Sequence, residues 1–533
     1  MGFGRKAAGL AAAWAFSMAS LALPVAAPVM AQELKIGIKT EPSALDPQFH
    51  TLNPNIQVAD HFFDALVGQD ENLKPKPALA ESWKLVDDTT WEFKMRPGVK
   101  FHDGGEFTAE DVVYTYERIP KVPNSPGPYT IYTRSMKSFE IVDPLTLRIH
   151  TNGPAPLLLL DLAALPILSK KAMSAGSAPE GKTTAELNAG NGLVGTGPYK
   201  FVEWQRGSKI VGERNDNYWG NKPVWKTITL RVLSNNTTRV AALLSGDVDM
   251  IEDPPTTDLA KLKNDPKITL EKAISNRVIY IALDQHGEPP IGIPDTNGKN
   301  PLMDKRVREA LSIAIDRKGI ADKIMEGVAI PAGDLLPYPM GGTRKDTPVD
   351  GYDPARAKKL LEEAGYPKGF SITLGAPNGR YINDLKLAQA VAAMWTRIGV
   401  KTDVDANAPP VFFKNRDSFK YGAYLAGWGA STGELSNALK SLAATPDRAK
   451  GMGTTNSGRH SDKEMDAKLE QALVTLDDAK REALLADASK ILMAEHGLIA
   501  IHFEVSVWAL RKGLTYQGRA DQNTFGFDVK QAK

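Results

Sequence analysis

The stretch 79-LAESWKLVDDTTWEFKMRPGVKFHDGGEFTAEDVVYTYER-118 constrains the architecture more than any other. Trp91, Phe93 and Met95 alternate with charged residues at period two. Pro97-Gly98 turns the chain, Val99 and Phe101 resume the alternation, and Asp103-Gly104-Gly105 turns it again, which predicts a β-hairpin. Thr108, with Asp111 three residues on, offers a capping-box start, and Val112, Val113, Tyr116 and Ile119 follow at helical spacing. The block reads as a ββα packing unit with no chemistry of its own.

Outward from it, short strands and amphipathic helices alternate along the whole chain, so the class is mixed α/β. Leu34 to Ile38 alternates as a strand, and a strand-rich block runs from Gly197 to Val232. Thr238 is the predicted cap of a helix ending at Gly246. Later helices are predicted after Asp304, from Asp353-Pro354 to Gly365, and from Asp384 to Ile398 before a strand at Val400 to Val404. Two extended apolar runs, Val278 to Leu283 and Leu498 to Leu510, bracket these helices in the manner of an inserted domain. Segments 120–128, 286–301 and 331–350 are Pro- and Gly-rich loops.

Arg5 and Lys6 precede an uncharged run to Ala31, and Val29-Met30-Ala31 suits a signal peptidase, so residues 1–31 read as a secretory signal peptide cleaved after Ala31. No cysteine occurs anywhere, which leaves no site for a lipid anchor and none for a disulfide. Of 65 basic residues, two lie in this leader, which has no carboxylate; the rest of the chain therefore carries 63 of each sign. A neutral chain without basic runs points to neither nucleic acid nor a membrane surface as partner. The apolar run Pro154 to Leu168 is interrupted by Asp161 and is too short to span a bilayer.

The one enzyme-like motif is Gly429-Ala430-Ser431-Thr432-Gly433, a G-x-S-x-G after the apolar run Ala423 to Trp428, with His460, His496, His502 and Asp447 downstream. It leaves an exported serine hydrolase as the alternative reading. Against it, four-fifths of the chain precedes the motif and no oxyanion loop is recognisable. The eight histidines lack metal-ligand spacing, so neither metal nor cofactor is expected.

Five segments then take on a common meaning: 79–118 above, GTGPYKFVEWQRGSKIVGERNDNYWGNKPVW from Gly195, ALLSGDVDM from Ala242, MDKRVREALSIAIDRKGI from Met303 and YDPARAKKLLEEAGY from Tyr352. Their order resembles that of the family 5 extracellular solute-binding proteins, the dipeptide, oligopeptide and nickel receptors of bacterial ABC importers. The resemblance implies a two-lobe periplasmic-binding-protein-like fold (type II, cluster C) with an extra domain in the first lobe. By analogy, the signal peptide at 1–31 is followed by first-lobe segments at 32–77, 195–281 and 505–533. The extra domain is 78–194, and the second lobe is 282–504. It further implies a non-enzymatic periplasmic monomer that captures a small peptide or peptide-like solute and serves permease and ATPase subunits.

The same resemblance implies site residues. Arg380 matches the arginine that pairs with a ligand carboxylate, and Trp428 matches the tryptophan bordering the cleft. Peptide-binding relatives carry an aspartate three residues after that tryptophan to anchor the ligand ammonium; this chain has Ser431, with Glu434 as the replacement from the next turn. His50, Thr51, Asn53, Tyr132 and Arg134 occupy cleft regions of the family.

Overall fold

The computed structural model describes residues 1, 2, 4, 33–175, 181–288, 291–294, 296 and 298–532; the leader reading, on residues 1–31, lies largely outside them. Its backbone is one eleven-stranded sheet whose two halves share two long strands, Ile268–Leu283 and Leu498–Arg511. The two apolar runs of the sequence, Val278 to Leu283 and Leu498 to Leu510, lie within them, and the strands pair antiparallel.

At one end, Leu498–Arg511 pairs with Met250–Glu252, followed by Glu33–Ile38 and Thr227–Val232 in parallel and then by Lys209–Arg214 and Tyr199–Gln205. At the other end, Ile268–Leu283 pairs with Ala423–Gly429, followed by the parallel strands Phe370–Pro377 and Val400–Asn407. Between the ends the ladder slips: Ile274 faces Val505 and Val278 faces Phe503, so Ser275, Asn276 and Arg277 bulge opposite Glu504 alone.

The predicted helices form for local reasons. Asp304 accepts from the backbone N–H of Arg306 and opens Lys305–Ile313, while Asp353 accepts from Arg356 and, with Pro354 in the first turn, opens Pro354–Glu363. Helix Asn236–Ser245 closes on Gly246 at φ 84°, as expected. Its cap is Asn235 rather than Thr238, because Asn235 Oδ1 takes the Thr238 N–H at 3.0 Å. Apolar faces of the second half's helices cover both faces of the sheet, with Trp395 fully buried and its indole N–H donating to Leu311. Burial of a large apolar side chain of this kind stabilises by roughly 1.5–3 kcal/mol.

Residues 80–151 form a separate four-stranded antiparallel sheet with its own core, in the order Ala80–Asp87, Thr90–Met95, Thr146–Thr151, Met136–Asp143. The predicted hairpin therefore has a different partner. Thr90–Met95 pairs with the preceding strand across Asp88-Thr89, while Val99 and Phe101 bond to the 105–107 segment. The preceding strand gives little alternation because most of its side chains are exposed. Helix Ala109–Arg118 begins as read, with Asp111 accepting from the Thr108 N–H at 3.0 Å.

Candidate functional site

Strand Ala423–Gly429 ends beside the bulge, where Asn276 holds the chain that leaves it. The Ala430 N–H donates to Asn276 O, and Asn276 Nδ2 donates back to Ala430 O, at 3.2 and 3.1 Å. Ser431 emerges from this clamp exposed, and Gly433 at φ 65° completes the turn. A side chain at Gly433 would meet Leu73, a first-half residue only 2 % exposed that is packed into the second half's core.

Trp428 is half-buried and donates its indole N–H to Asn437 at 2.8 Å. Arg380 lies nearby on the same half. Its guanidinium sits over the Tyr381 ring at 5.2 Å, and the Tyr381 hydroxyl donates to Gly427, the residue before Trp428, at 3.1 Å. The Arg380 backbone is fixed by Asp384, which accepts its N–H at 2.7 Å. Its guanidinium forms no ion pair among the described residues.

Across the sheet's midline, Tyr132 in the short turn Tyr129–Tyr132 brings the appended domain to the same place. Its hydroxyl lies close to the Ser431 side chain, and burial, which Ser431 partly offsets, raises its pKa above the ordinary tyrosine value. Residues 132 and 431 thus meet across the two halves. Asp161, on helix Leu158–Ala163, stands close enough to Tyr132 to act on it, and its own counter-charge is Lys440 from the second half. Burial pushes the Asp161 carboxyl from 3.8 up to about 8, with Lys440 only partly opposing it. Asp60 is likewise pushed to about 8, by burial and by Asp521, with Arg519 opposing. Neither carboxylate forms an ion pair among the described residues.

The remaining predicted residues sit as follows. His50 and Thr51 bridge to Gly127; His50 is 3.1 Å from Ser43 Oγ, and burial lowers its pKa. Asn53 donates to Asp521 O at 2.9 Å. Arg134 is exposed, its carbonyl accepting from Asn152.

Glu434 does not stand where it could replace the missing ammonium anchor. It is 3 % exposed, takes Arg481 Nε at 2.7 Å and the Ser436 hydroxyl at 2.5 Å, and so has no free charge for a ligand ammonium. Asp161, brought beside Tyr132, is not among the residues singled out from the sequence, although a lone carboxylate inside the apolar run 154–168 was the available signal.

A hydrolase triad does not assemble. Ser431 meets Tyr132, whereas His460 faces Gln285, His496 faces Asp350, and His502 is fully buried on strand Leu498–Arg511.

The chain matches the family described as bacterial extracellular solute-binding proteins, family 5 Middle, over residues 74–450. It is 30 % identical over 483 residues to the heme-binding protein A of Haemophilus influenzae, covering 85 % of this chain and 83 % of that one. It is 30 % identical over 512 residues to the glutathione-binding protein GsiB of Pectobacterium atrosepticum, covering 94 % and 95 %. Among solved structures, the ABC transporter-associated periplasmic binding protein DppA from Helicobacter pylori, in complex with peptide STSA, superposes with a TM-score of 0.73 at 25 % identity, covering 95 % of this chain and 99 % of that one. The chain belongs to the family 5 extracellular solute-binding proteins, the periplasmic substrate-binding components of ABC importers, and it is not an enzyme. Its fold is the two-lobe one of that family, and among the described residues no helix is long and apolar enough to cross a membrane.

Proposed function

We propose that the chain is a monomeric receptor for a small peptide or peptide-like zwitterion, held between the lobes and handed to a permease driven by ATPase subunits. The observation that carries this reading is a pair of groups without an ion-pair partner among the described residues, the Arg380 guanidinium and the Asp161 carboxyl, which burial keeps protonated until a cationic group reaches it. A guanidinium fork suits a ligand carboxylate. Asp161 takes the ligand ammonium in place of the aspartate that peptide-binding relatives carry at the position of Ser431. Trp428, Ser431 and Tyr132 border the solute; His50, Thr51, Asn53 and Arg134 form the rim. The relatives named for glutathione and solved with a tetrapeptide accord with such a ligand.

Binding shifts the equilibrium between open and closed lobes only if the solute touches both, so its greater affinity for the closed form is the signal to the permease. We place the lobe boundaries at 32–77, 195–281 and 505–533 for the first lobe and 282–504 for the second, with 78–194 appended to the first. The 1–31 leader delivers the chain to the periplasm without a lipid anchor.

Native mass spectrometry of the purified chain, followed by thermal melting with candidate peptides, tests the reading. A peptide at about 100 times its Kd should add roughly 2.7 kcal/mol of stability. If no zwitterionic peptide raises the melting temperature and nothing of that class co-purifies, the proposal is wrong.

A further inference from the structure

The second half holds a cavity of about 290 Å³ that is partly open to solvent. It lies between the last turns of helix Asp478–Ala494 and the loop ending at Asp350, above the start of strand Leu498–Arg511. Ala500 in its lining is five residues from Val505, where the strands cross, and at about 3.3 Å per residue that is roughly 17 Å along the strand.

One wall is a closed polar network. Arg317, 4 % exposed, donates to Ala500 O at 2.8 Å and to the Ser312 hydroxyl at 2.7 Å, and stands 3.6 Å from Asp350. Asp350 also accepts from the Ser312 hydroxyl at 2.5 Å and lies 3.4 Å from His496 Nε2. These contacts, outweighing burial, hold its carboxyl down at about 2. The other ring nitrogen, His496 Nδ1, is buried with no partner.

Two further cations line the cavity, half-buried Arg344 and exposed Lys490, and neither forms an ion pair among the described residues. The rest of the lining includes Ala332, Met493 and Ala500, so a positive rim overlies an apolar floor. The volume is that of about ten waters at ~30 Å³ each. Arg317 is already answered by Asp350, whose negative charge also disfavours a second negative charge on a ligand.

We propose that this cavity binds a small amphipathic monoanion, an aliphatic carboxylate, with its head group between Arg344 and Lys490 and its chain over Ala332, Met493 and Ala500.

Octanoate, acetate and octylamine are the probes, titrated calorimetrically into the full chain stripped of co-purified solute. Octanoate should bind at least tenfold more tightly than acetate, and octylamine should give no heat. The double variant Arg344→Ala/Lys490→Ala should weaken octanoate at least tenfold, and Ala494→Trp at the exposed rim should block it. Arg380→Ala, in the interlobe site, should leave it unchanged. Absence of octanoate binding, equal binding of octylamine, unchanged binding in both cavity variants, or loss of binding in Arg380→Ala would each overturn the proposal.

Discussion

Ser431 and Glu434 are three residues apart and stand in opposite kinds of surroundings. At Glu434 every charge is answered: Arg481 fills one carboxylate oxygen, Ser436 the other, and the group is sealed from water. Around Ser431 no such pair closes: Asp161, kept protonated by burial, forms no ion pair, Tyr132 reaches over from the appended domain, and Arg380, on the same half as Ser431, forms no ion pair either. A closed pair fixes the fold because neither partner can be removed without stranding the other. Open charges are poor structural devices and good handles for a ligand that brings the missing sign.

The contrast can be broken most forcefully at the closed corner. Arg481→Ala should lower unfolding free energy by about 3–5 kcal/mol in urea titration, since it leaves Glu434 buried and unpaired. The double change Arg481→Met/Glu434→Gln should recover much of that. Arg380→Ala should do the reverse, leaving unliganded stability within about 0.5 kcal/mol while weakening a carboxylate solute by about 1.5–3 kcal/mol. Equal loss of stability and affinity would erase the distinction between the corners.

Asp161→Asn sharpens it through pH. The folded carboxyl keeps its proton up to about pH 8, against 3.8 ordinarily, so its contribution to stability is fully present below pH 4 and is lost as pH rises through 8. The amide should thus match the wild type near pH 4 and exceed it by about 1–2 kcal/mol at pH 8.5, after discounting for its partial exposure. It should also lose affinity for ammonium-bearing solutes. The smallest effect belongs to Ser431→Ala, which removes the polar neighbour of the Tyr132 hydroxyl and should cost about 0.5–1.5 kcal/mol in the ligand-bound form. Wild-type Ser431 should take no fluorophosphonate label.

Most of this fold was legible where local chemistry decides it. Asp304, Asp353-Pro354 and Gly246 mark helix ends through hydrogen bonds and φ angles that concern a few neighbouring residues. The reading went wrong where exposure blurs the period, as at Ala80–Asp87, whose solvent-facing side chains hid the true hairpin partner. The site divides the same way. Arg380 and Trp428 belong to the same end of the second half because strand Phe370–Pro377, which leads into the Arg380 turn, pairs with Ala423–Gly429, and Tyr381 bonds to Gly427. The meeting of Tyr132 with Ser431 depends on how an appended domain sits against the far lobe, and no spacing along the chain encodes that. Glu434 failed as an ammonium anchor because its partner, Arg481, comes from a helix 47 residues downstream.

The slip in the ladder at Ser275, Asn276 and Arg277 has a mechanical result. Two ribbons stitched edge to edge above and below a short unstitched gap flex as one strip, and independent swivelling of either is resisted by the stitches on both sides. The same gap supplies, through Asn276, the clasp on Ala430 that sets where the chain leaves strand Ala423–Gly429.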